Sequence, residues 1–287
     1  MKSLWILGAL IVLCGCTRTT PSKKPVILAS IAPYAFLVES LVGDTASVVT
    51  IVPQGANPHV FEPSPRDLAS VADARVWVCA GEMFEDKLIR SVKAVAADLR
   101  IVDVWQEAEL LGGHVCAHHS AHDSFHHEAV DKHVWMSPKN AIRQARSIAQ
   151  VLIEKFPEHS VLYKNNLSEL EENLTRLDIY IQDLLYFKKH TLVLLSHPSL
   201  AYFCKDYDLE QLSVEVEGKD PLPQDISRLL GHVMEHDLKK IFTQKGYNNR
   251  GAEVIALELG LSTHEIDPYA YDYLNNLREL AQLIASP

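Results

Sequence analysis

Between residues 163 and 184 the apolar side chains Tyr163, Leu167, Leu170, Leu174, Leu177, Ile181 and Leu184 recur at spacings of 4, 3, 4, 3, 4 and 3. Such a series falls on one face of an α-helix. A helix over 163–187 is ~37 Å long at ~1.5 Å per residue. Whatever precedes and follows it must pack against that rod. The seam can pair with a second copy as a coiled coil, or it can lie along the rest of its own chain. It covers only about three heptads, so the intramolecular rod is expected, with residues 159–189 as a linking helix and the chain a monomer. A rod of this length opposes wide hinge motion, and little closure on ligand binding is expected.

On either side of the rod, short β-branched runs alternate with helical patterns. "VILASI" (26–31), "SVVTIV" (47–52), "ARVWVCAG" (74–81) and "RIVDVW" (100–105) precede it; "HTLVLLSH" (190–197), "LEQLSVEVE", "KKIFTQK" and "THEID" follow it. This alternation predicts βα units with mainly parallel sheets. The fold class is α/β: two similar lobes over 25–158 and 190–287 joined by one long rigid helix. Ser64-Pro65 and Ser137-Pro138 each put an N-cap serine before a proline at the first helical position.

The first residues, MKSLWILGALIVLCGC, hold an apolar run from Leu4 to Leu13. That is about half of the ~20 residues a bilayer span needs, and it fits a signal peptide over 1–15. Cys16 directly after Gly15 resembles a lipobox, whose cysteine carries the lipid; an ordinary cleaved leader or an uncleaved anchor is the alternative. Residues 16–24 then read as a tether, which puts the protein outside the cytoplasm on a bacterial membrane, in a periplasm or at the outer surface. The net charge of −10 speaks against a broad nucleic-acid surface. Cys79 and Cys204 sit in apolar runs and read as small core residues.

Open α/β sheets bind ligands beyond the carboxyl ends of their strands. There the chain offers His59 in "PQGANPHVFEP", His133 in "DKHVWMSP", His197 after "TLVLLS" and Asp267 after "STHEI". These are three imidazoles and one carboxylate, two from each half. Glu62, close to His59, can cap the next helix or orient that ring. Between the sheets' first half and His133 lies "GGHVCAHHSAHDSFHHEAVDKHVW" (112–135), which holds seven of the 14 histidines. It lacks a strand or helix period and reads as a mobile insert over 114–133.

"PQGANPHVFEPSPRDL", "DKHVWMSP", "SHPSLAYFCKDYDL" and "EIDPYAYDYLNNLREL" resemble the zinc- and manganese-binding solute receptors of ABC importers, the ZnuA-like family, in the family's order. The resemblance implies two α/β lobes with a metal ion in the cleft, held by His59, His133, His197 and Asp267. It also implies a membrane permease and an ATPase as partners. Ala80 of "CAG", where the family commonly has asparagine, Pro198 and Leu200 depart from the pattern, as neighbours rather than ligands. Three imidazoles with one carboxylate suit four-coordinate zinc. The family's manganese receptors often carry glutamate where this chain has His197, so Zn²⁺ is the expected cargo and Mn²⁺ or Fe²⁺ the alternative. His-rich tracts bind metal by composition, and this one, through His114, Cys116, His118, His119, His122, His126 and His127, is expected to gather zinc for the cleft.

Two other functions are compatible with these residues. A three-histidine zinc with an open position can activate water, which would make a hydrolase; Asp267 as a fourth ligand closes that position, and no HExxH is present. An adhesin lipoprotein is the other. No enzyme activity is expected.

Overall fold

The structure is a computed structural model and describes residues 24–92, 96, 98–111, 130–215, 229–231, 233, 234, 236 and 238–287. The leader, Cys16 and most of the tether lie outside these residues. So do His114, Cys116, His118, His119, His122, His126 and His127.

The first sheet comprises β1 (Val26–Ala29), β2 (Ser47–Thr50), β3 (Ala74–Cys79) and β4 (Arg100–Asp103), in the order β2-β1-β3-β4. The second comprises β5 (Leu192–Leu195), β6 (Glu210–Ser213), β7 (Lys240–Gln244) and β8 (Ser262–Ile266), in the order β6-β5-β7-β8. All pairings are parallel, and the two orders are the same. Among the described residues the helices are α1 (Ala32–Val42), α2 (Pro65–Ala72), α3 (Met83–Val92), α4 (Pro138–Lys155), α5 (Ser160–Leu185), α6 (Ala201–Asp206), α7 (Arg250–Leu259) and α8 (Tyr273–Ala285). The α/β class with two mainly parallel sheets and one long helix is as expected from the sequence.

Local chemistry explains the boundaries. The Ser64 side chain accepts the Asp67 N–H while Asp67 reciprocates, a capping box ahead of Pro65 that starts α2. Ser137 accepts from the Asn140 N–H, a one-way cap that starts α4 ahead of Pro138. Gly260, in the left-handed region at φ 66°, ends α7.

Strand alternation divides the core. Ile27, Ala29, Val76, Val78, Val193 and Leu195 face one continuous apolar cluster that runs from the first sheet to the second. Leu28, Trp77 and Cys79 pack under α3 on the far side of the first sheet, and Leu192, Leu194 and Ile241 pack with α7 on the far side of the second. The cluster between the sheets is knit by α5, which packs against α1, α4 and α8. Tyr163, Leu170, Leu174, Leu177, Ile181 and Leu185 are buried there, so the seam is used inside the chain. α5 has 26 residues, about 39 Å. Its first turns are tied to the first half by Tyr163 OH, 2.8 Å from Thr45 Oγ1, and by Asn166 donating to the Leu41 carbonyl. No described helix is long and apolar enough to cross a membrane.

Cys79 and Cys204 are free and buried, and burial pushes both thiols up, as befits core residues.

Candidate metal centre

His59 follows β2 in a 3-10 turn over Pro58–Val60, where the Asn57 side chain accepts the His59 N–H at 2.9 Å. His133 precedes the turn Val134–Met136 that leads into α4. His197 stands two residues beyond the end of β5. The three rings converge from both sheets. Their centroids are 5.4, 5.2 and 5.4 Å apart, and one ligand atom of each lies within 4.8 Å of the others.

Each ring is held by a carboxylate on its Nδ1. Glu82 Oε2 lies 2.9 Å from His59 Nδ1, Asp131 Oδ1 lies 2.8 Å from His133 Nδ1, and Glu215 Oε2 lies 2.5 Å from His197 Nδ1. An ionised carboxylate only accepts, so Nδ1 carries the proton and Nε2 presents its lone pair. Burial raises the Glu82 and Asp131 carboxyls, but contact with their histidines outweighs it and both end below the usual range. Burial likewise draws His59 down, and Glu82 more than reverses it, leaving the ring raised. At His197 burial, together with the neighbouring His133 and His59, wins over Glu215 and the ring is lowered. His197 Nε2 is buried and has no hydrogen-bond partner among the described residues. A buried unpaired nitrogen is costly unless something binds it, and a cation between the three rings would satisfy it. Tyr269 OH, 3.3 Å away, is the neighbour of His133 Nε2.

Asp267 is placed differently. It follows β8 but is not a member of the three-histidine group. Its Oδ1 accepts the Tyr269 N–H at 3.0 Å, and its Oδ2 lies 3.3 Å from Lys245 Nζ. Glu62 does not orient His59: it pairs with Lys87 at 2.9 Å, and Glu82 takes the orienting place. Behind Glu82, Glu85 accepts the N–H groups of Ala80 and Gly81 at 2.7 and 2.8 Å, and burial pushes its carboxyl up to about 7.

The braces escaped the sequence reading, although the strand-end rule that found the histidines also covers Glu82 and Glu215. These stand three and two residues beyond β3 and β6, and Asp131 stands two before His133. Removing each acceptor, as Glu82→Met, Asp131→Ala or Glu215→Met, should weaken metal binding about 10- to 100-fold while leaving the fold intact. Competitive metal titration beside circular dichroism checks this; unchanged affinity would mean that the carboxylates only fill space.

The turn that follows His133 ties the halves together. Trp135 Nε1 donates to the Pro268 carbonyl at 2.8 Å, and Tyr273 OH donates to the Trp135 carbonyl at 2.5 Å. Tyr202 OH donates to the Asp131 carbonyl and accepts from the Leu111 N–H, while the Asp131 N–H bonds the Leu111 carbonyl at 3.0 Å. The chain thus enters and leaves the histidine-rich tract at a single closed point, two residues from His133.

The chain is similar to known proteins over almost its whole length. The family described as zinc-uptake complex component A, periplasmic (ZnuA), matches residues 27–286. A putative metal-binding protein of Chlamydia trachomatis is 31% identical over 283 residues, covering 98% of each chain. The high-affinity zinc uptake system protein ZnuA of Bacillus subtilis is 24% identical over 279 residues, covering 93% of this chain and 88% of its own. A crystal structure of ZnuA superposes with a TM-score of 0.83 at 32% identity, covering 92% of this chain and 98% of that one.

Proposed function

The chain belongs to the ZnuA family of zinc-uptake components, and from that membership we propose that it is the extracytoplasmic receptor of an ABC importer. It captures zinc between its two sheets and passes it to a membrane permease driven by an ATPase. The observation that carries this reading is the set of three carboxylate-braced imidazoles meeting from both halves. Neutral imidazole suits zinc, with Zn–N near ~2.0–2.1 Å. Residues 25–158 and 190–287 are the two lobes and 159–189 the linking helix. His59, His133 and His197 supply nitrogen, and Asp267 supplies the fourth ligand once its carboxylate leaves Lys245. His59 is the most exposed of the three rings and faces the entry. The tract from His114 to His127 gathers zinc at weak exchanging sites and delivers it beside His133, near which the flanking residues Leu111 and Asp131 are bonded to each other. A lipid on Cys16 holds the receptor at the membrane.

The test is a competitive titration of residues 25–287, stripped of metal, with zinc and manganese. One tight zinc site above several weak ones is expected. Tight manganese binding with little preference for zinc would instead make this a manganese or iron receptor, since those ions favour a larger oxygen share. His197→Glu should move the preference towards manganese, and unaltered selectivity would remove the argument for zinc.

A further inference from the structure

The loop after β7 crosses from the second sheet to the first. Gly246, at φ 79°, lies so close to the Gly55 carbonyl oxygen that an added Cβ would stand 2.6 Å from it. The stem of Lys245 passes beside Gly55, in the loop that carries His59. The Tyr247 ring covers two of the imidazoles, with centroids 4.6 Å from His197 and 5.9 Å from His59. Three consecutive residues thus form a strap over the metal centre, and its first member holds Asp267 Oδ2 at 3.3 Å.

We propose that Lys245 is an internal competitor of the metal for Asp267, so that ligation by this carboxylate and its ion pair with Lys245 exclude each other. The proposal deepens the receptor reading above and rests on it. Asp267 Oδ1 accepts the Tyr269 N–H, and the ammonium lies 3.3 Å from Oδ2. An ammonium and a dication on one carboxylate repel each other, so one leaves. Lys245 is half-exposed and its stem is flexible, so it is the one that gives way at small cost. A cavity of about 180 Å³, lined in part by Met136, Lys245, Asp267 and Pro268, gives it room to move. Departure of the Lys245 ammonium leaves the strap in place, since the Lys245 N–H bonds the Ile266 carbonyl at 3.0 Å; its return pushes the metal off Asp267 and favours release to a partner. Lys245 is a positioning residue, acting through Asp267.

Zinc alone is titrated against the whole chain as wild type, Lys245→Met, Lys245→Arg, Asp267→Asn and the Lys245→Met/Asp267→Asn double variant, with dissociation rates measured by a chelator chase. Lys245→Met should tighten zinc about fivefold, the upper range for a partly exposed ion pair, and slow its release to match. Lys245→Arg should keep wild-type behaviour, and in the Asp267→Asn background Lys245→Met should change nothing. A tight wild-type site that does not respond to Lys245→Met overturns the proposal and leaves the receptor reading standing. An equal gain in the Asp267→Asn background also overturns it, because the effect is then a general field and not competition. A wild-type chain without a tight zinc site overturns both.

Discussion

His59→Ala should abolish tight zinc binding while leaving the protein folded. Metal-binding free energies of ~10–16 kcal/mol shared by four ligands assign about 3 kcal/mol to each, or about a hundredfold in affinity per lost imidazole. The change also leaves Glu82 buried without the ring that its carboxylate now braces, a cost that falls on folding stability in the free and bound forms alike. The fold should survive: the ring is the most exposed of the three, and the turn around it is held by backbone and Asn57 contacts. Calorimetric titration of wild type and variant checks this. Loss of the single tight site with persistence of weaker sites is the expected pattern. A variant that keeps full affinity would mean that the converging rings do not hold the cargo.

Leu174→Ala should cost about 2–5 kcal/mol of folding stability, the range for truncating a leucine in a closed core. Leu174 is fully buried in the middle of α5, inside the cluster shared by the two sheets. Two-fold or larger changes in protein concentration should not alter the loss, because the seam is satisfied within one chain. Denaturant unfolding at two concentrations measures both quantities. A midpoint that moves with concentration would restore the coiled-coil dimer as the role of the seam. Zinc affinity, set by the loops beyond the strand ends, should change little.

The rod, the strands and the capped helix starts were legible because each depends on local periodicity or on a serine-proline pair. The order of strands was not, since parallel pairing joins segments far apart in sequence. The histidines stood out at strand ends, where open sheets present side chains. Their carboxylate partners did not, because Glu215 becomes a neighbour of His197 only when β6 lies beside β5, and Glu82 a neighbour of His59 only when β2 and β3 flank β1 in one sheet. Glu62 drew notice by being three residues from His59, yet its side chain reaches Lys87 on α3. Sequence proximity offered one acid, and sheet order supplies another. Asp267 was found by the same loop rule, but its ion pair with Lys245 depends on β7 lying beside β8.

The braces have a consequence for speed as well as for strength. Glu82, Asp131 and Glu215 bring three negative charges to a largely buried site, around rings that carry lone pairs. Low-dielectric walls focus such a field outward and raise the local concentration of divalent cations. The attraction acts before any bond to nitrogen forms, so it governs how often an ion arrives. In dilute surroundings, where encounters limit uptake, the acids that aim the rings also draw the traffic towards them.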